Sequence, residues 1–209
     1  AILDNGNGMG TEELNAAMQY GSKNPIDARD AKDLGRFGLG LKTASLSQCR
    51  CLTVVAKQGD RIEGRQWDID HVAETGSWSL IVLEAGELDS IPNIDDLRAY
   101  ESGTLVVWQK LDRLKAGEIN FEQALGRKID GVREHLSLVF HRYLSGEKGI
   151  TKLKISINGE KVSASDPLLS GQRRYNIVNS RYICGGMLPV RVSYFLTPGC
   201  WHLPVFALK

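Results

Sequence analysis

The stretch "DNGNGMG", residues 4–10, decides how this chain reads. Three of its seven residues are glycine, so it interrupts any strand or helix that runs into it. The apolar run Ala1–Leu3 before it reads as the end of a buried strand that delivers Asp4 to a loop. Two readings of Asp4 stand side by side. Its carboxylate can accept from its own backbone in an Asx-turn that joins the strand to a helix. It can also accept from an exocyclic amine such as the N6 of adenine. In that case Gly6 and Gly8 let a flat ring approach the backbone, and Met9 offers a soft apolar contact.

Working outward, Thr11 is expected to cap a helix with Glu12 and Glu13 in its first turn, an apolar face of Leu14, Ala17 and Met18, and a stop at Gly21. Residues 22–36, "SKNPIDARDAKDLGR", are polar and without period, a loop of unusual length. Such loops in compact domains are either lids and binding segments or plain exposed connections, and composition does not choose.

The second glycine segment is "GRFGLGLK", residues 35–42. Gly35, Gly38 and Gly40 allow close backbone approach, and a short helix from Lys42 to about Ser47 is expected directly after them. Free amides at a helix start form an anion site, and Lys42 would oppose the helix dipole there unless an anion is present. The pattern is not GxxxxGK[ST], and no strand immediately precedes it, so neither a P-loop nor a dinucleotide fold follows. Structural glycine turns are at least as common as phosphate loops, and this segment alone does not decide between them.

The pair of segments is more informative than either. Asp4, Gly6, Gly8 and Met9 match D-x-G-x-G-M; Gly35, Phe37, Gly38 and Gly40 match G-x-F-G-x-G; Gly103 and Thr104 in "ESGTLVVW" match a Gly-Thr that opens a late strand. In this order and spacing the chain resembles the GHKL ATPases: the B subunit of DNA gyrase, the ninety-kilodalton heat-shock chaperones, histidine kinases and the mismatch-repair MutL proteins. It resembles the chaperone-like and MORC-like members most. The resemblance covers roughly residues 1–150 and implies an α+β two-layer sandwich, a mixed sheet covered by helices on one face. It implies that Asp4 accepts from the adenine amino group, that Thr104 reaches the adenine edge, and that Gly6, Gly8 and Met9 flank the base. Residues 22–36 would be the ATP lid. The backbone around Gly35, Phe37, Gly38, Leu39 and Gly40 would hold the phosphates, with Lys42 as a helper. Arg36 suits phosphate or open surface equally.

The same resemblance implies ATP and Mg²⁺ as cofactors. In the family, a helix before the first motif carries the Glu that activates water and an Asn that helps hold the metal. Only Ala1–Leu3 precede Asp4 here, so the chain is expected to be a fragment, and no residue in it is assigned as general base or metal ligand.

The remainder bounds the rest. Formal net charge is +1, so no global field argues for nucleic acid or for cationic substrates. No apolar run approaches the roughly 18 residues of a membrane span, and "AILDNGNGMG" does not read as a signal peptide, so a cytoplasmic protein is expected. Cys49, Cys51, Cys184 and Cys200 lack zinc-knuckle spacing and read as reduced thiols. Strands are expected at Leu52–Ala56, Arg61–Trp67, Trp78–Leu83 and Thr104–Trp108, with an acidic, turn-rich stretch at 84–103. Phe121, Leu125, Ile129, Val132, Leu136, Val139 and Tyr143 mark a long amphipathic helix, with Gly146 and Gly149 past its end. His135 and His141 are six apart and do not share a face, so hydrogen-bonded roles suit them better than metal ligation. Asn158-Gly159 marks a hairpin, and Leu188–Leu196 a further strand. Two domains are expected: 1–149, the ATP-binding domain, and 150–209, the start of a transducer-like α/β domain.

The expected function is an ATP-driven switch in which ATP and Mg²⁺ close the lid and two protomers associate as a homodimer. A non-catalytic nucleotide-binding module and a histidine-kinase-type phosphotransferase are the alternatives. Relatives act on DNA or on client proteins, but nothing in this sequence points to either.

Overall fold

A computed structural model of the chain describes residues 1–20, 39–112, 117 and 119–167, together with the backbone of 177–182 and 190–195. Packing divides the chain into two units, Ala1–Ile119 and Asn120–Lys209.

The first unit is built around β2, Cys51–Gln58, because its sequence runs Cys-Leu-Thr-Val-Val-Ala with no charge until Lys57. All six of those residues are buried, as only a central strand allows. A two-residue turn with Gly59 at φ +58° returns the chain as β3, Arg61–Asp68. On the other side β2 pairs with β5, Ser102–Gln109, which pairs with β1, Ile2–Asp4; β4, Ile81–Leu83, closes the far edge beyond β3. The order is β1-β5-β2-β3-β4, and every pairing among the described strands is antiparallel.

Side chains alternate across this sheet. Leu52, Val54 and Ala56 face one core with Leu14, Met18, Leu46, Cys49 and Trp67. Those partners come largely from α1, Thr11–Met18, and α2, Gly40–Leu46. Val55, Leu105 and Val107 face the opposite core with Leu88, Ile91, Ile94 and Leu97. These four lie on or beside two short helices, α4, Ala85–Leu88, and α5, Ile94–Arg98; α3, Ile69–Thr75, follows β3 directly. Each fully buried Leu or Val of these cores contributes about 2 kcal/mol.

The expected α+β sandwich is what forms, with differences in detail. Among the described strands the sheet is antiparallel where a mixed one is expected, with hairpin-type neighbours at β2-β3 and β3-β4 and crossovers elsewhere. Helices cover both of its faces, because residues 84–103, read as turns, carry apolar side chains at three-residue spacing: Leu88, Ile91, Ile94 and Leu97 are 0–6% exposed. Only the last three residues of the expected strand at Trp78–Leu83 pair. Helix α1 ends at Met18, before Gly21, as the backbone of Gln19 turns extended. Helix α2 begins two residues before Lys42, and the segment 21–38 lies outside the described residues.

At the Cys51 end of the sheet an ionic network ties three strands together. Lys110 donates to Asp68 and Asp70, and Arg50 to Asp70 and Asp112. Hydrogen bonding by Lys110, reinforced by the charge of Arg50, holds the Asp70 carboxyl below the usual carboxylate range. A depressed folded-state pKa means a contribution present at neutral pH and lost as pH falls through that value. Lys110→Met is therefore expected to move the Asp70 titration back up toward the ordinary range. A carboxyl NMR titration checks it; an unmoved Asp70 would show that Arg50 alone sets the shift.

In the second unit, the Asn120 side chain accepts from Gln123 N and caps α6, Phe121–Val139. The long helix expected from the periodicity is broken at Phe140, and the chain resumes as α7, His141–Ser145, closed by Gly146 at φ +73°. His141 donates to Leu138 O at 2.7 Å. Asn158 and Gly159, at φ +50° and +81°, turn β6, Ser156–Ile157, into β7, Glu160–Lys161. Strands β8, Ile177–Tyr182, and β9, Val190–Phe195, form an antiparallel pair.

Candidate functional site

Strand register brings the first and third motifs together. Asp4 at the end of β1 is the direct cross-strand partner of Thr104 on β5, and Ala56 on β2 is the next residue along the same row. Opposed residues of an antiparallel pair place their Cβ atoms about 5 Å apart on one face. For this row, that face is the one covered by α1 and α2, since Val106 and Trp108, two and four residues beyond Thr104, pack on that core. Met9 packs against the same core.

The loop between Asp4 and α1 is fixed by close backbone approach. Gly103 is required by packing: a Cβ there would lie 2.2 Å from Asp4 O and 3.3 Å from Asn5 Cα. Gly8 is required twice over, by φ +65° and by a Cβ that would lie 2.0 Å from Lys57 O. Ser102 Oγ donates to Gly6 O at 2.7 Å, and Gln58 Nε2 to Asn7 O at 3.2 Å. Gly6 N donates to Asp4 Oδ1 at 2.8 Å, so the Asx-turn reading is realised. That turn uses one carboxylate oxygen; among the described residues the other accepts no hydrogen bond, and Asp4 is exposed. The two readings of Asp4 are thus compatible.

Helix α1 starts one residue earlier than a Thr11 cap requires. Gly10 is the N-cap residue, and its N–H donates to Glu13 Oε2 at 3.1 Å. Thr11, inside the helix, instead donates its hydroxyl to Glu63 Oε1 on β3 at 2.6 Å. Arg65, 4% exposed, donates to Glu63 Oε2 at 2.9 Å, to Asn15 Oδ1 at 2.7 Å and to its neighbour Gly64 O. The Thr11 hydroxyl, and then Arg65, hold the Glu63 carboxyl below its usual range. The sequence reading missed this group. An Arg two residues from a Glu, on the strand paired with the apolar run of β2, was its only signal.

Lys42 has protein partners. It is 1% exposed, its ammonium donates to Ala17 O at 2.7 Å, and it lies 5.8 Å from the centroid of the Tyr20 ring. Trp67 Nε1 donates to Met18 O at 2.9 Å. Together they satisfy carbonyls that the end of α1 leaves open, where a cation also suits the dipole. The charge of Lys42 at the start of α2 is met here by a carbonyl of α1, and burial pushes its pKa down.

Leu39 is the N-cap residue of α2, and a Cβ at Gly40 would meet nothing within 4 Å. Gly40 is also absent from the positive-φ residues, so neither packing nor backbone conformation demands glycine there. Gly35, Arg36, Phe37 and Gly38 lie outside the described residues. Among the described residues no group of three or more His, Cys, Asp or Glu side chains could hold a metal ion, and no helix is long and apolar enough to cross a membrane.

Residues 1–104 match the protein family described as histidine kinase-, DNA gyrase B- and HSP90-like ATPase. No curated protein matches the chain. The matched segment contains both glycine motifs and ends at Thr104, the residue that sits opposite Asp4.

Proposed function

Residues 1–104 are a GHKL-type ATPase domain, and from that premise we propose that this chain binds ATP with its adenine beside Asp4 and Thr104. The observation that carries the reading is the cross-strand pair itself: a carboxylate with one oxygen uncommitted among the described residues, directly opposite a hydroxyl, on the helix-covered face of the sheet. The free oxygen of Asp4 accepts from the exocyclic amine, and Thr104 hydrogen-bonds the adjoining ring edge. Gly6 and Gly8 keep side chains away from the base, and Met9 lies against it. A 6-oxo group at the same place would face a carboxylate, which selects adenine over guanine.

The phosphates run toward the start of α2. Gly40 supports this, as a glycine that the fold itself does not need. Gly35, Arg36, Phe37, Gly38 and Leu39 complete the phosphate loop in this reading, and residues 22–36 form the lid. Lys42 joins them with the donors that its bond to Ala17 O leaves over. Mg²⁺ would supply charge neutralisation on the phosphates, and no described side-chain cluster is assigned to it.

In this reading ATP binding and hydrolysis drive lid closure and conformational change or homodimerisation, residues 150–209 belong to a transducer-like domain, and the setting is cytoplasmic. Titration with a fluorescent ATP analogue, competed by ATP and by GTP, tests the binding step. Saturable binding displaced by ATP and not by GTP is expected; absence of binding, or equal displacement by GTP, overturns the reading. Turnover measured on protein extended upstream separates an ATPase from a non-catalytic binding module, and radiolabel transfer from γ-labelled ATP to protein would indicate a phosphotransferase.

A further inference from the structure

The loop from Asp4 to Thr11 is tied at both ends to a single row of the sheet. Its entry, Asp4, lies on β1 opposite Thr104; Thr104 is opposite Ala56 on β2, and Ala56 is opposite Glu63 on β3. Its exit, Thr11, is bonded to that Glu63. The loop therefore spans three strand spacings, about 14 Å. It passes the ends of β5 and β2 on the way, as the contacts of Gly6 with Ser102 and of Gly8 with Lys57 record. Three glycines leave such a loop little stiffness of its own. Its N-cap residue is a glycine with no side chain to set the start of α1.

Beside the bond of Gly10 N to Glu13, what sets that start is a part-buried polar clamp. Arg65 holds Glu63 with Nη2 and Asn15 with Nε, and Thr11 and Asn15 stand one turn apart on the face of α1 toward β3. Both carboxylate oxygens of Glu63 are used, one by Thr11 and one by Arg65. Burying an arginine in this way stabilises little by comparison with an apolar pair, but it fixes a geometry.

We propose that the Arg65–Glu63–Thr11 clamp is the positioning device of the adenine site: it sets the span of the loop and so aligns Asp4 with Thr104 for base recognition. This rests on the ATP reading above. None of the three residues needs to touch nucleotide; they act through the loop. A device of this kind bears on the base more than on the phosphates, because the loop joins the clamp to Asp4 directly, whereas the start of α2 is reached only through α1 and the bond of Lys42 to Ala17 O.

The test uses competition against a fluorescent ATP analogue, with adenosine and inorganic triphosphate as separate competitors and thermal melting in parallel. Thr11→Val is expected to weaken adenosine about tenfold, as loss of one hydrogen bond to a charged group does, and to leave triphosphate unchanged. Thr11→Ser, which keeps the hydroxyl, is expected to restore adenosine affinity. Arg65→Met is expected to follow Thr11→Val wherever it folds. Wild-type adenosine affinity in folded Thr11→Val overturns the proposal, and so does an equal loss for both competitors, which marks a general structural defect. If the wild type binds no ATP analogue at all, the ATP reading falls and takes this inference with it; binding by the wild type with insensitive variants removes this inference alone.

Discussion

Asp4→Asn is expected to lower ATP affinity by roughly 10- to 100-fold while leaving the fold intact. The substitution keeps the shape of the side chain and one oxygen. That oxygen still accepts from Gly6 N, so the turn that joins β1 to α1 survives. The other oxygen becomes an amide NH₂, which presents donors to the adenine amine, itself a donor. The pocket loses a charge-assisted hydrogen bond and gains two donors that face each other without an acceptor between them. Titration with the fluorescent ATP analogue reads the loss, and a thermal melt confirms that the variant is folded. Unchanged affinity in a folded Asp4→Asn protein would mean that the base lies elsewhere.

Gly103→Ala is expected to destabilise the first unit by about 3 kcal/mol or more and to abolish nucleotide binding with it. The added Cβ would sit 2.2 Å from Asp4 O, with Asn5 Cα at 3.3 Å. Both are backbone atoms, so no flexible side-chain tip can swing away. Strand β1 must then separate from β5, and with it goes the register that opposes Asp4 and Thr104. This strand is only three residues long and holds the edge of the sheet, so it has few other contacts to resist displacement. Differential scanning calorimetry, with the ATP titration alongside, measures both parts. A variant that melts like wild type would show that β1 can shift without cost, contrary to the close approach at Gly103.

These two substitutions act on residues that are legible in the sequence, although the reason they matter is not. Asp4, Gly6, Gly8, Gly103 and Thr104 stand out because their residue types and spacing are local facts. So do strand β2, from its unbroken apolar run, and the turn at Asn158-Gly159, from its need for positive φ. Helices α4 and α5 did not stand out. Their apolar residues are hidden among Asp, Glu and Pro, and they are helical because the underside of the sheet offers Val55, Leu105 and Val107 to cover. One contact of Lys42 was hidden for a related reason. Its position at a glycine-rich helix start suggests an anion, and nothing local tells that its ammonium also reaches the carbonyl end of another helix, 25 residues earlier in the chain.

By itself the sequence determined where the chain must turn, where it must be buried, and which two loops are poor in side chains. Those properties follow from backbone sterics and from hydrophobic periodicity, and both act over a few residues. Only the tertiary structure decided which of these pieces meet. The pairing of Asp4 with Thr104, across 100 positions of sequence, is set by antiparallel register. So is the alignment of Glu63 with the same row, which lets one buried arginine govern a glycine loop. Register depends on the alternation of both faces of every intervening strand and on the close approach of Gly103 to Asp4, which no single stretch of sequence contains.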